Sequence, residues 1–192
     1  MLEECLSDFG FNKSQINHVL NSYSIYKSNK FTIYNLINSN NEWFISHGFS
    51  KQEIIKMVTI VPSIYAFSSS KIETKYNYFI SFGYTEEQTH KIFSRTPQII
   101  GLSIETIKEK IDFYRELNIL DFIIENPKCL MQSVNLSYAR YMFYLMEKND
   151  VINSNTSRRL FVGDKQFSKQ FKVTKKELLK RYSYEESRSR LC

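Results

Sequence analysis

Glycine and proline are scarce, with five and three in 192 residues. An all-β sandwich normally spends more of both on its turns, so their shortage favours helices. No run approaches the roughly 18 to 20 uncharged apolar residues that a membrane span needs. Cysteine is limited to Cys5, Cys129 and Cys192, an odd number spread far apart, which suits reduced thiols and a cytoplasmic setting. The start, Met1-Leu2-Glu3-Glu4-Cys5, is acidic and has no basic region ahead of an apolar run. It is expected to be neither a secretory signal nor a transit peptide.

Catalytic signatures are equally sparse. HExxH, CxxC, a phosphate-cradling glycine loop and a serine elbow are all missing from the sequence. His18, His47 and His90 sit at unrelated positions and read as ordinary surface or half-buried histidines. Glu86-Glu87 belongs in the first turn of a helix, where carboxylates favour the dipole. Cys129 lies in an apolar context and reads as packing. The expectation is a protein that is not an enzyme and that uses no metal or cofactor.

What the chain does have is apolar and aromatic material, 42% and 15% of its residues, enough for a sizeable core. It also has charge asymmetry. Residues 1–150 hold 15 Lys/Arg against 16 Asp/Glu, whereas residues 151–192 hold 11 against 4, so the basicity belongs to the tail.

A repeat organises the rest. Phe44-Ile45-Ser46-His47-Gly48-Phe49-Ser50 returns 35 residues later as Phe79-Ile80-Ser81-Phe82-Gly83-Tyr84-Thr85. Extending that shift over residues 44–78 gives ten identities, Pro62/Pro97, Lys56/Lys91 and Lys75/Lys110 among them. An earlier copy begins at Leu6, and a degraded one begins at Tyr114 and reaches its proline early, at Pro127. The units run about 6–43, 44–78, 79–113 and 114–147, within an array over 1–150. Residues 151–192 form a basic cap or half-repeat, with 187–192 expected to fray.

Each unit reads as two helices. Gly10, Gly48 and Gly83, and Asn118 in their place, suit the left-handed residue that closes a helix. Capping boxes follow at Asn12…Gln15, Ser50…Glu53 and Thr85…Gln88. The proline then ends a first helix of about ten residues, and one tight helical turn leads to the second. Ser70…Glu73 reads as the box opening one such second helix, and Thr174…Glu177 as the box opening a helix from Lys175 to about Tyr184. Helices this short need stacked neighbours to bury their apolar stripes. The fold class is therefore all-α, an α-solenoid of about four units of about 35 residues with a basic helical cap.

This pattern resembles the repeat of the mitochondrial transcription termination factor (mTERF) family. The residues that carry the resemblance are Phe44, Gly48, Phe49, Ser50, Ile55, Val58, Pro62 and Ile64, then Phe79, Gly83, Tyr84, Thr85, Ile92, Phe93, Pro97 and Ile99. The tail from Phe161 to Tyr182 is similar to the family's terminal half-repeat. The resemblance implies a solenoid that curves around nucleic acid, DNA or RNA, with roles in transcription regulation, RNA maturation or ribosome assembly.

The candidate phosphate contacts are Lys56, Lys91, Lys75 and Lys110, which recur in register, and Arg95 and Arg140 beside them. In the tail they are Arg158, Arg159, Lys165, Lys169, Lys172, Lys176, Lys180 and Arg181, with Lys172, Lys176 and Lys180 four apart on one expected helix face. Tyr182 and Tyr184 are candidates for stacking on bases. The expected partner is nucleic acid, bound by a monomer without catalysis and away from membranes. The alternative is a protein-interaction scaffold, since helical arrays present surfaces equally suited to peptides.

Overall fold

A computed structural model describes residues 1–22, 25, 29–153 and 155–184, and the expected fraying of 187–192 lies outside them. The described residues form eleven α-helices, four 3₁₀ turns and no strand. The α-helices are α1 (Leu2–Phe9), α2 (Lys13–Leu20), α3 (Lys30–Ser46), α4 (Lys51–Ile60), α5 (Ser69–Ser81) and α6 (Glu86–Arg95). They continue as α7 (Ile104–Glu116), α8 (Asp121–Glu125), α9 (Val134–Glu147), α10 (Asp164–Phe171) and α11 (Lys175–Arg181). The 3₁₀ turns are Pro62–Ala66, Pro97–Gly101, Pro127–Met131 and Ser157–Phe161. None of the described helices is long and apolar enough to cross a membrane.

Local chemistry sets these boundaries. Asn12, Ser50, Thr85 and Thr174 each accept the backbone N–H three residues on, while Gln15, Glu53, Gln88 and Glu177 return the bond to the cap. Both exchanges satisfy N–H groups that the first turn leaves orphaned. Pro62, Pro97 and Pro127 each occupy the first position of a 3₁₀ turn, where the missing N–H costs nothing and φ is already right.

The box expected at Ser70…Glu73 does not form. Ser68 is the N-cap, and Ser70 already lies inside α5. In a run of three serines the first non-helical residue after Phe67 takes the cap, which is a question of backbone conformation and not of side-chain type. Likewise α11 ends at Arg181 instead of continuing towards Tyr184. In the degraded unit α8 is only five residues long, as the early Pro127 requires.

Gly10, Gly48 and Gly83 have φ of 117°, 83° and 106°, and Asn118 takes 54° in the same role. A Cβ added at Gly83 would meet nothing within 4 Å, so only the backbone opposes a side chain there. Gly83→Ala is therefore expected to lower stability by about 1–2 kcal/mol. Asn118→Gly should leave stability unchanged or raise it slightly. Urea unfolding of both variants checks the pair, and an unchanged midpoint for Gly83→Ala would contradict the left-handed assignment.

The chain divides into two compact units, Met1–Ile104 and Glu105–Cys192. In the first, like packs on like. The first helices α2, α4 and α6 stack in order, as do α1, α3 and α5, and the turn at Pro62 packs on the turn at Pro97. That is the stacking of an α-solenoid. Its core is rich in rings: Phe44 meets Phe49 edge-on at 5.1 Å, and Phe93 meets Tyr76 at 5.5 Å and Phe79 at 5.9 Å. In the second unit α8 packs on the Pro127 turn, while α9 packs on the Ser157 turn and on α11. Phe143, Tyr144, Phe167 and Phe171 cluster there with ring centroids 4.8–6.1 Å apart.

Candidate nucleic-acid interface

The cations divide into those the fold consumes and those it leaves in solvent. Lys110 and Arg140 belong to the first group. Lys110 is 6% exposed and Arg140 1% exposed, although both were expected to meet phosphates. Each side chain runs from a second helix to the carbonyl oxygens that close the next 3₁₀ turn. The Lys110 ammonium donates to the Gln132 carbonyl. Arg140 Nη1 donates to the carbonyls of Leu160 and Val162 at 2.8 and 2.6 Å, and Nη2 to Asp164 at 2.7 Å. Burial pushes the pKa of both groups down, with Glu109 opposing the shift at Lys110 and Asp164 opposing it at Arg140. Side chains this deeply buried cannot reach a phosphate, so these two leave the candidate set.

The same place in the first unit is filled by Asn40, 35 residues before Lys75 and 70 before Lys110. Its buried Nδ2 donates to the carbonyls of Ile64 and Phe67 at 3.1 and 3.0 Å. Lys75 is half-buried, with its ammonium 5.3 Å from the Phe67 ring centroid and its pKa held down by burial. A signal for this role is present in the sequence. Lys75, Lys110 and Arg140 each follow their unit's proline by 13 residues, a register shared with buried apolar positions.

Lys56 is exposed on α4, on the wall of a groove formed with α2 by Gln15, Gln52, Ile55 and Thr59. Lys91 is half-buried at the matching place on α6, and Arg95 is exposed in the last turn of that helix, where a cation suits the dipole. These three remain candidates in the first unit.

The tail supplies the rest. Arg158 is exposed on the Ser157–Phe161 turn, Lys165 and Lys169 on α10, and Lys176 and Lys180 on α11. Lys172 is exposed too, but it is the left-handed C-cap of α10, with φ 58°, and so lies outside α11. The expected face of three lysines on one helix is therefore two lysines on α11 and one on the preceding bend. None of these six forms an ion pair with a described residue. Arg159 pairs with Asp150, and Arg181 pairs with Glu147 at 3.0 Å, so both are partly neutralised. Glu147 also accepts the Tyr182 hydroxyl at 2.9 Å. Tyr184 is buried edge-on against Phe113 at 5.5 Å, which removes it as a stacking platform.

The described cysteines and histidines lie apart from one another. Burial pushes the Cys129 thiol up to about 12, which makes it inert packing. His47 stacks on Trp43 at 3.9 Å, and His90 faces Glu53 at 3.7 Å. Among the described residues no group of three or more His, Cys, Asp or Glu is placed to hold a metal.

The model of the mTERF family matches residues 3–168, which takes in α1 to the middle of α10. No curated protein matches the chain.

Proposed function

The chain belongs to the mTERF family, and from that membership we propose that it is a non-catalytic nucleic-acid-binding protein that grips phosphates through the exposed cations of its C-terminal cap. Nucleic-acid binding in general is what the family points to. The finer reading is carried by one observation. Arg158, Lys165, Lys169, Lys172, Lys176 and Lys180 are exposed within 23 residues, and no described carboxylate pairs with any of them. Cations so placed neutralise phosphates and release counterions without any base-specific geometry. Lys56, Lys91 and Arg95 would offer separate phosphate contacts on the first unit. A role in transcription, RNA maturation or ribosome assembly would follow from occupying a site on a transcript, a duplex or ribosomal RNA.

Fluorescence anisotropy of the full chain with labelled duplex DNA, duplex RNA and single strands tests the reading. If all six cap cations engage, raising salt from about 50 to 200 mM should weaken binding roughly a thousandfold. Binding that ignores salt, or no binding at low salt, sinks the proposal and favours a peptide-binding array, whose largely apolar contacts would be salt-insensitive.

A further inference from the structure

Arg140 and Asp164 stand out once the cap is read as a phosphate surface. A guanidinium held 1% exposed is an expensive way to close a turn. At the corresponding place in the first unit a neutral amide, Asn40, does the job. The turns differ as well, although the proline-led turn at Pro127 is also closed by a cation, Lys110. The first three 3₁₀ turns begin with proline, which fixes φ, whereas the fourth begins with Ser157. This last turn lacks that lock, and Arg140 meets it with three bonds, against two from Asn40 and one from Lys110 at their turns. Arg140 bonds the two carbonyls that end it and the first residue of α10.

The clamp is built into a network. Gln132 Nε2 donates to the Leu160 carbonyl at 2.9 Å and to Ser137 Oγ at 2.8 Å, and Gln132 Oε1 accepts from Arg140 at 3.3 Å. The guanidinium carbon lies 4.9 Å from the Phe167 ring centroid on α10. Asp164 is half-exposed, and its second oxygen lies 3.6 Å from the ammonium of Lys175, the first residue of α11. One carboxylate therefore joins the buried guanidinium of α9, the start of α10 and the start of α11. Arg158, Lys165 and Lys169 sit on the turn and helix fixed at that junction, and Lys176 and Lys180 on the helix tied to it.

We propose that Arg140 and Asp164 are positioning residues for nucleic-acid binding: they touch no phosphate, and they hold the lysines of α10 and α11 as one surface. This rests on the cap being the phosphate-binding element. It carries a prediction opposite in sign to simple electrostatics. Asp164→Ala removes a negative charge from a basic surface, which by charge alone should tighten binding to a polyanion. If Asp164 positions the surface, the variant binds more weakly, and its salt slope falls by about 2 as Lys165 and Lys169 drop out of the contact.

The experiment compares Asp164→Ala with the unchanged full chain by anisotropy on duplex DNA and duplex RNA at four salt concentrations, together with amide hydrogen exchange. Asp164→Ala leaves the buried guanidinium without its counter-charge, so it is measured well below its melting temperature, as is a second variant, Arg140→Met, which removes that buried charge. Weaker binding with a shallower salt slope, and faster exchange confined to residues 157–181, is the expected result. Unchanged or tighter binding by Asp164→Ala overturns the inference. If the unchanged chain binds no nucleic acid, the functional reading falls. The exchange data then decide the positioning role alone, and unaltered protection of α10 in both variants rejects it.

Discussion

Replacing Lys165, Lys169, Lys176 and Lys180 together with glutamine is expected to weaken nucleic-acid binding by roughly a hundred- to a thousandfold at 0.1 M salt and to lower the salt slope by about 3 to 4. All four side chains are exposed, and none pairs with a described carboxylate. Their loss therefore removes phosphate contacts without opening the interior. Stability should change by no more than about 0.5 kcal/mol for each site. The pairing within α10 and within α11 matters here, because residues four apart share a helix face and can meet neighbouring phosphates together. Anisotropy titrations across salt, run beside thermal melts, read both quantities. A quadruple variant with the parental slope would move the interface off the cap and leave Lys56, Lys91 and Arg95 to account for any binding.

Phe79→Ala is expected to cost about 3–5 kcal/mol, a large part of the roughly 5–15 kcal/mol that holds a domain together. Phe79 is fully buried at the last turn of α5, with its ring 5.9 Å from Phe93 and 5.8 Å from Tyr84. It holds the same place as Phe44 and Tyr114, each four residues before the left-handed residue that ends the helix. One ring thus packs under each of these three bends, with Leu6 in that place before Gly10, and removing the ring leaves a cavity that close-packed neighbours cannot refill. Ile45→Ala on α3 is the control, since Ile45 is 47% exposed and should lose less than about 1 kcal/mol. Denaturant unfolding of the two variants decides the matter, and equal midpoints would contradict the packing described.

Much of this fold was legible in the sequence because its punctuation is local. A cap needs a side-chain oxygen and a Glu or Gln three residues on, and Ser50…Glu53 says as much without any tertiary knowledge. A residue at positive φ is most often glycine or its asparagine substitute, so Gly83 and Asn118 announce themselves, whereas Lys172 at φ 58° does not. The candidate interface was only half legible. Lys110 and Lys165 are both lysines in a basic register, and what separates them is a carbonyl 22 residues further along the chain. Spacing shows which residues share a helix face, but not which face a neighbour will cover. Lys172 misled for a related reason. Its four-residue spacing to Lys176 fits a helix, yet the Thr174 cap requires an extended residue at that point, and the two signals cannot both hold. The cap chemistry won because it satisfies backbone groups that would otherwise be orphaned.

The like-on-like stacking of residues 1–104 also bears on how the chain is made. Each packed pair of corresponding helices joins segments about one 35-residue repeat apart, so the entropy of closing each junction is set by the repeat and hardly by the length of the polypeptide. A ribosome adding about 5–20 residues each second would deliver a new stacking partner roughly every two to seven seconds. The nascent array can therefore accrete vectorially from its N-terminus, each emerging repeat covering the apolar face left by the one before.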